Sequence, residues 1–290
     1  MWKKQNIIVK LVIVNVFIFL IINIFKLIFF LLDKTIYFQE FLTFLAVPSK
    51  LHQLVTHFWT VITYMFVHEK FMHLFGNMLF LYFLGIISIR FFKEIQVFTI
   101  YIMGGLSGAL LYFIGFNIFP VFTNQDFFSQ LIGASASITA IVIALSVYKP
   151  KEPVHLFGLL RIELWIISVF MVIWDIASIP ESNAGGHLAH LGGAVYGLVF
   201  ALYYKKGVNI QNWAENIFFR IFEIGEAPVT KRKMKVIKSN LKSRDDYTFK
   251  MTQHQINEEI NRILDKISDS GYKSLTKKEK DFLNKFNKKI

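Results

Sequence analysis

Apolar residues run in six blocks along this chain, separated by shorter polar intervals: Ile7 to Leu32, Phe71 to Ile89, Val97 to Phe116, Leu131 to Val147, Ile162 to Ile179 and His187 to Tyr204. Each approaches or exceeds the roughly 20 residues a helix needs to cross a bilayer. The pattern therefore predicts an all-α membrane protein with six spans. The first block follows Lys3 and Lys4, is too long for a signal peptide and lacks a small-residue cleavage site, so it is read as a retained span. The third carries Gly104, Gly105 and Gly108, a small-residue face suited to close helix packing. The fourth opens with LIGASASITA, Leu131 to Ala140, which sets two serines and a glycine into apolar surroundings. A hydroxyl in hydrocarbon needs a partner, because no water is there to supply one.

Beyond Gly207 the periodicity changes. Ile210, Trp213, Ile217, Phe218 and Ile221 recur at helical spacing among polar residues, which predicts a helix lying in the membrane interface. Thr230 to Arg244 reads as a basic linker. Thr252 with Gln255, and Thr276 with Glu279, form capping-box patterns ahead of two amphipathic stripes, with Gly271 as the stop between them. The expected organisation is a six-span unit over 1–206, an interfacial helix and linker over 207–250, and a small helical hairpin over 251–290.

Composition agrees with a membrane protein: 54% of residues are hydrophobic, 17% aromatic, and the mean hydropathy is +0.46. Cysteine is absent, which excludes disulfides, thiol nucleophiles and thiolate-bound metal. The net charge of +12 is concentrated at the end: from Lys205 onward 20 Lys/Arg face 11 Asp/Glu, a net +9. With no nucleic-acid motif beside it, that charge suits a tail facing anionic lipid rather than a nucleic acid. Basic residues cluster before span one and after spans two, four and six. By the positive-inside rule both termini are then cytoplasmic, in a multi-pass protein of the cell (inner) membrane.

Orientation gives depth. Spans two, four and six have their outer ends at His73 and Asn77, at Ser135, and at His187 and His190. Polar groups a turn inside a membrane are costly and mark function. Serine needs a base to become a nucleophile, histidine is the usual base, and an Asn amide with a second His supplies donors to an oxyanion. Helical phase selects among the candidates. At about 100° per residue, His190, Gly193 and Gly197 lie within roughly 60° of one another, so His190 shares the close-packing face, whereas His187 is placed near the interface. Ser135 and Ser137 stand about 200° apart; Ser135 follows Gly133-Ala134, and Ser137 is read as bonded back to a carbonyl one turn earlier. His68 is expected at the interface. Asp175 is read as an interfacial carboxylate, with orientation of His190 as its alternative role.

Three phrases carry a resemblance: WTVITYMFVHEKFMHLFGNMLFLYFLG (Trp59 to Gly85), Gly133-Ala134-Ser135, and AHLGGAVYG (Ala189 to Gly197). In this order and separation they resemble the signatures of the rhomboid intramembrane serine proteases. The resemblance implies a six-helix bundle that cleaves transmembrane protein substrates near the outer face. Ser135 would be the nucleophile and His190 the base of a dyad with no acidic third member, with His73 and Asn77 in the oxyanion hole. No cofactor or metal is called for. The tail phrase ILDKISDSGYKSLTKKEKDFL resembles tails on rhomboids of the Bacteroidetes type. Two positions depart from the family pattern: Ala136 where glycine is frequent, and Thr139 where many members stack an aromatic ring on the histidine. Loop 33–59 and the start of span five are candidate gates. The rival readings are an inactive rhomboid-like protein that binds membrane clients, and a metal-handling protein using His73, His187 and His190.

Overall fold

The computed structural model describes residues 5–123, 129–156, 160–224 and 253–286. It divides into two compact units, Met1–Thr230 and Lys231–Ile290. The first contains α1 (Ile7–Leu31), α2 (Thr35–Leu45), α3 (Leu51–Thr56), α4 (Thr60–Thr63), α5 (Phe71–Ser88), α6 (Glu94–Ile118), α7 (Pro120–Thr123), α8 (Ser135–Tyr148), α9 (Leu164–Ser178), α10 (Ala184–Lys205) and α11 (Asn212–Phe222). Two small antiparallel ladders join them, β1 (Val47–Pro48) with β2 (Gln130–Leu131), and β3 (Pro153–Leu156) with β4 (Leu160–Glu163).

Four helices, α1, α5, α6 and α10, are long and apolar enough to cross a membrane; α8 and α9 are apolar but shorter. Four of the six predicted spans are thus helices of membrane-crossing length, and the other two are shorter apolar helices. For α8 the reason lies in packing. Every residue of α8 from Ala136 to Ser146 is buried, so this helix is enclosed by protein and need not match a lipid thickness. α9 buries only Leu164, Ser168 and Asp175, and turns Phe170, Ile173 and Trp174 outward.

Small residues set the core. Gly193 and Gly197 of α10 lie against the backbone carbonyls of Ala136 and Ala140 of α8, and Gly104 and Gly108 of α6 lie against the side chains of Ala140 and Ala136. Between apolar helices in lipid, such close approach and its dispersion contacts replace the hydrophobic effect as the source of association. Ser107 Oγ adds a hydrogen bond to Gly192 O at 2.8 Å. Ala136 is accommodated because a methyl at Gly108 would stand only 2.6 Å from its Cβ; the space it fills is the one Gly108 leaves open.

The outward faces of α1 and α5 stay apolar, with Phe17, Leu20, Phe30, Met72 and Phe75 exposed. α11 packs back on α6 through Phe218 on Phe98, ring centroids 5.3 Å apart, while Trp213, Ile217 and Ile221 remain exposed. That is the amphipathic split expected of an interfacial helix.

The second unit contains α12 (Gln253–Ser270) and α13 (Lys277–Phe286). Thr276 N–H donates to Glu279 Oε2 at 2.8 Å and Glu279 N–H to Thr276 Oγ1 at 3.4 Å, the reciprocal pair of a capping box. Lys266 Nζ reaches back to Glu279 Oε1 at 3.0 Å and ties the two helices together. The linker Thr230 to Arg244 and Thr252 lie outside the described residues.

Candidate active site

Ser135 is the first residue of α8 and Gly133 the turn before it. Gly133 has φ +114°, and a side chain there would come within 2.7 Å of the His73 ring. Glycine is therefore required twice over, for the conformation and for the space. Gly133 N–H donates to Tyr64 O at 2.9 Å, while β2 just upstream is pinned to β1 through Val47↔Leu131. Tyr64 is itself held by its hydroxyl on Gly105 O at 2.6 Å. The turn that presents the serine is thus fixed from two sides, by Tyr64 and by β1.

His190 Nε2 stands 2.7 Å from Ser135 Oγ. Its other ring nitrogen, Nδ1, is 2.7 Å from Asp175 Oδ1, and His187 Nδ1 is 2.8 Å from the same oxygen. A carboxylate only accepts, so both histidines donate from Nδ1. In the neutral imidazole the lone pair of His190 is then on Nε2, and the serine hydroxyl donates to it. Serine, histidine and carboxylate form one connected line.

His73 and Asn77 project from α5, and Asn77 Nδ2 donates to His73 O at 2.8 Å. One N–H of that amide remains for another acceptor. Both residues line a cavity of about 840 Å³ together with Ser135, Thr139, Met171, Asp175, His187 and His190. The four residues singled out from sequence therefore share one cavity with two that were placed elsewhere.

Three expectations are corrected. Asp175 is not a solvent-facing carboxylate: it is 5% exposed and held between two histidines, the arrangement its alternative role calls for. His68 is not at the surface either: it is 0% exposed, packs its ring 5.1 Å from that of His73, and accepts from Ala134 N–H at 3.4 Å. Ser137 does not bond back along its helix. It faces Gly105, and its buried hydroxyl has no partner among the described residues. His68 and Tyr64 were missed because their roles are contacts across space with Ala134 and Gly133. Nothing in local spacing encodes such contacts.

A model of the rhomboid domain matches residues 55–207, more than half of the chain. The chain belongs to the rhomboid family. RHOMBOID-like protein 12, mitochondrial, of Arabidopsis thaliana is 27% identical over 157 residues, 51% of this chain and 47% of the relative. Rhomboid protein 1, mitochondrial, of Saccharomyces cerevisiae is 25% identical over 160 residues, 54% of this chain and 45% of the relative. Rhomboid-related protein 1 of Caenorhabditis elegans is 31% identical over 148 residues, 49% of this chain and 38% of the relative. The chain spans less than half the length of these curated relatives. Residues 245–289 match a separate family of unknown function, so the rhomboid match ends before the tail hairpin.

Proposed function

We propose that this rhomboid is an active intramembrane serine endopeptidase that cuts transmembrane protein substrates near the outer face of the membrane. The observation that carries the reading is the 2.7 Å hydrogen bond between Ser135 Oγ and His190 Nε2 inside a cavity also lined by His73 and Asn77. Six helices would span the bilayer with both termini cytoplasmic, in a cell membrane, a reading that the positions of the basic residues support. The first 206 residues would be the protease, 207–250 the interfacial helix and linker, and 251–290 a cytoplasmic hairpin. The tail phrase supports a bacterial member.

α8, with its 14 residues, is about 21 Å long at 1.5 Å per residue, against a hydrocarbon core of roughly 30 Å. With Lys149 at the cytoplasmic boundary, Ser135 at the other end of α8 would sit below the outer surface, where the cavity would admit water. In the proposed reaction the Ser135 hydroxyl proton passes to His190 Nε2 as Oγ bonds to the scissile carbonyl carbon. His73, Asn77 and the Ser135 backbone N–H stabilise the oxyanion. The peptide C–N bond breaks as His190 gives its proton to the leaving amine, leaving an acyl ester on Ser135. Water, deprotonated by His190, attacks the ester, and the serine is regenerated.

The test is cleavage of a model transmembrane substrate after reconstitution, comparing wild type with Ser135→Ala and His190→Ala. Both variants should lose cleavage, and a fluorophosphonate should label wild type at Ser135. Undiminished cutting by either variant refutes the dyad, and an inert wild type supports a client-binding role instead.

A further inference from the structure

We infer that Asp175 is a positioning residue for the reaction, a carboxylate that sets the ring and tautomer of His190 from the neighbouring helix. The inference rests on the proteolytic reading above and adds a third member to its dyad.

The observation is a placement that an ordinary packing role does not need. Ser168, Met171 and Asp175 follow one another at helical spacing on α9, and Met171 and Asp175 both line the cavity. Ile173 on the far side of the helix is exposed to the surroundings, while Phe170 and Trp174, also exposed, stand at the mouth of the same cavity. A buried carboxylate on so apolar a helix is costly unless its oxygens are met by donors. The donors are His187 and His190, three residues apart on one face of α10, both directed at Oδ1. Of the two, only His190 continues the line, its Nε2 on Ser135 Oγ.

Three consequences follow for catalysis. Nδ1 of His190 carries the proton, so the Nε2 lone pair faces the serine. The ring is held against rotation at the position where Thr139 supplies no aromatic surface. The imidazolium formed when Ser135 gives up its proton meets a negative charge already in place. His187 shares the same oxygen and competes for it. α9 buries few residues, so these two hydrogen bonds also tether its outer half, and a purely structural tether is the alternative to be separated.

Three variants in one reconstituted system make the separation: Asp175→Asn, His187→Ala and Ser135→Ala. For Asp175→Asn we expect kcat to fall about 10- to 100-fold with KM within about twofold, because general-base efficiency is lost and substrate contacts are not. Fluorophosphonate labelling of Ser135 should slow in parallel. For His187→Ala positioning predicts a smaller fall in kcat than for Asp175→Asn, since Oδ1 is then left wholly to His190, and a loss as deep as that of Asp175→Asn supports the tether instead.

A spectroscopic readout on the unmodified protein covers the case in which Asp175→Asn does not fold. In ¹⁵N-histidine-labelled wild type, His190 should show a protonated Nδ1 and an unprotonated Nε2. The opposite tautomer in wild type overturns the inference. So does Asp175→Asn with unchanged kcat and labelling rate while Ser135→Ala is dead. If Ser135→Ala still cuts, it is the proteolytic reading itself that fails.

Discussion

The close approach of α8 and α10 is what brings Ser135 and His190 together, and Gly193 is where that approach can be broken. Gly193 lies one turn beyond His190, against the carbonyl of Ala136, the residue after Ser135. A methyl added at Gly193 would stand 2.9 Å from the Ala136 carbonyl carbon and nearer still to its oxygen, where ordinary contacts begin at 3.4 Å. The two helices must part by at least 0.5 Å (3.4 minus 2.9), and the obstacle is backbone, which cannot swing aside. Passed on in full, that opening stretches the 2.7 Å bond between Ser135 and His190 to at least 3.2 Å. Misplacement on this scale is expected to lower kcat about 10- to 100-fold in Gly193→Ala. Overpacking costs about 1–3 kcal/mol, offset by the gain of about 1 kcal/mol from replacing a helical glycine, so the loss of stability should be modest. The control is Gly115→Ala, whose methyl would meet only Leu188 Cδ1 at 2.6 Å, the tip of a flexible side chain. The assay is cleavage of a reconstituted transmembrane substrate alongside thermal unfolding of both variants. Gly193→Ala with kcat within threefold of wild type would refute the argument that this helix contact sets the catalytic distance.

Gly133→Ala should abolish activity with little change in global unfolding, since its φ of +114° and the adjacent His73 ring both exclude a side chain; retained cleavage would remove His73 from the site. Ser137→Ala should keep full cleavage and fluorophosphonate labelling and gain about 1 kcal/mol in unfolding, because it deletes a buried hydroxyl without a described partner; loss of labelling would mean that the nucleophile is Ser137. Treatment with a chelator should leave cleavage unchanged, because hydrogen bonds already account for Asp175, His187 and His190, whose ligand atoms lie within 4.8 Å of one another; inactivation restored by zinc would revive a metal role. In the tail, the Thr276 N–H, with Lys266 and the Thr276 hydroxyl beside it, holds the Glu279 carboxyl down at about 2. Its folded value is below its unfolded one, so its contribution to the hairpin is complete above the ordinary carboxylate range and lost as pH falls through that range toward 2. Amide exchange across residues 272–283 of the full chain, corrected for intrinsic rates, should show protection falling in that window, and Glu279→Gln should show no such fall.

Much of the architecture was legible in the chain because hydrocarbon simplifies the code. A span must be apolar over a fixed length, small residues mark close packing, and polar residues inside a span stand out. Those rules located the apolar helices, predicted the Thr276–Glu279 capping box, and separated Ser135 from Ser137 and His190 from His187 by helical phase. Phase needs only the regularity of a helix, so it survives without coordinates. Tertiary structure alone decided what lies opposite each of these residues. Asp175 in the sequence is one acidic residue near the end of an apolar block, and its spacing along α9 says nothing of two histidines on α10. His68 sits in a loop, where no periodicity fixes a direction, and only the fold turns it inward onto Ala134. The same holds for the length of α8, which is short for a lipid-facing span and sufficient once other helices enclose it. Sequence determines which face a helix presents, because 3.6 residues per turn is a local property; which partner meets that face depends on how distant segments pack, and that is set by the whole bundle at once.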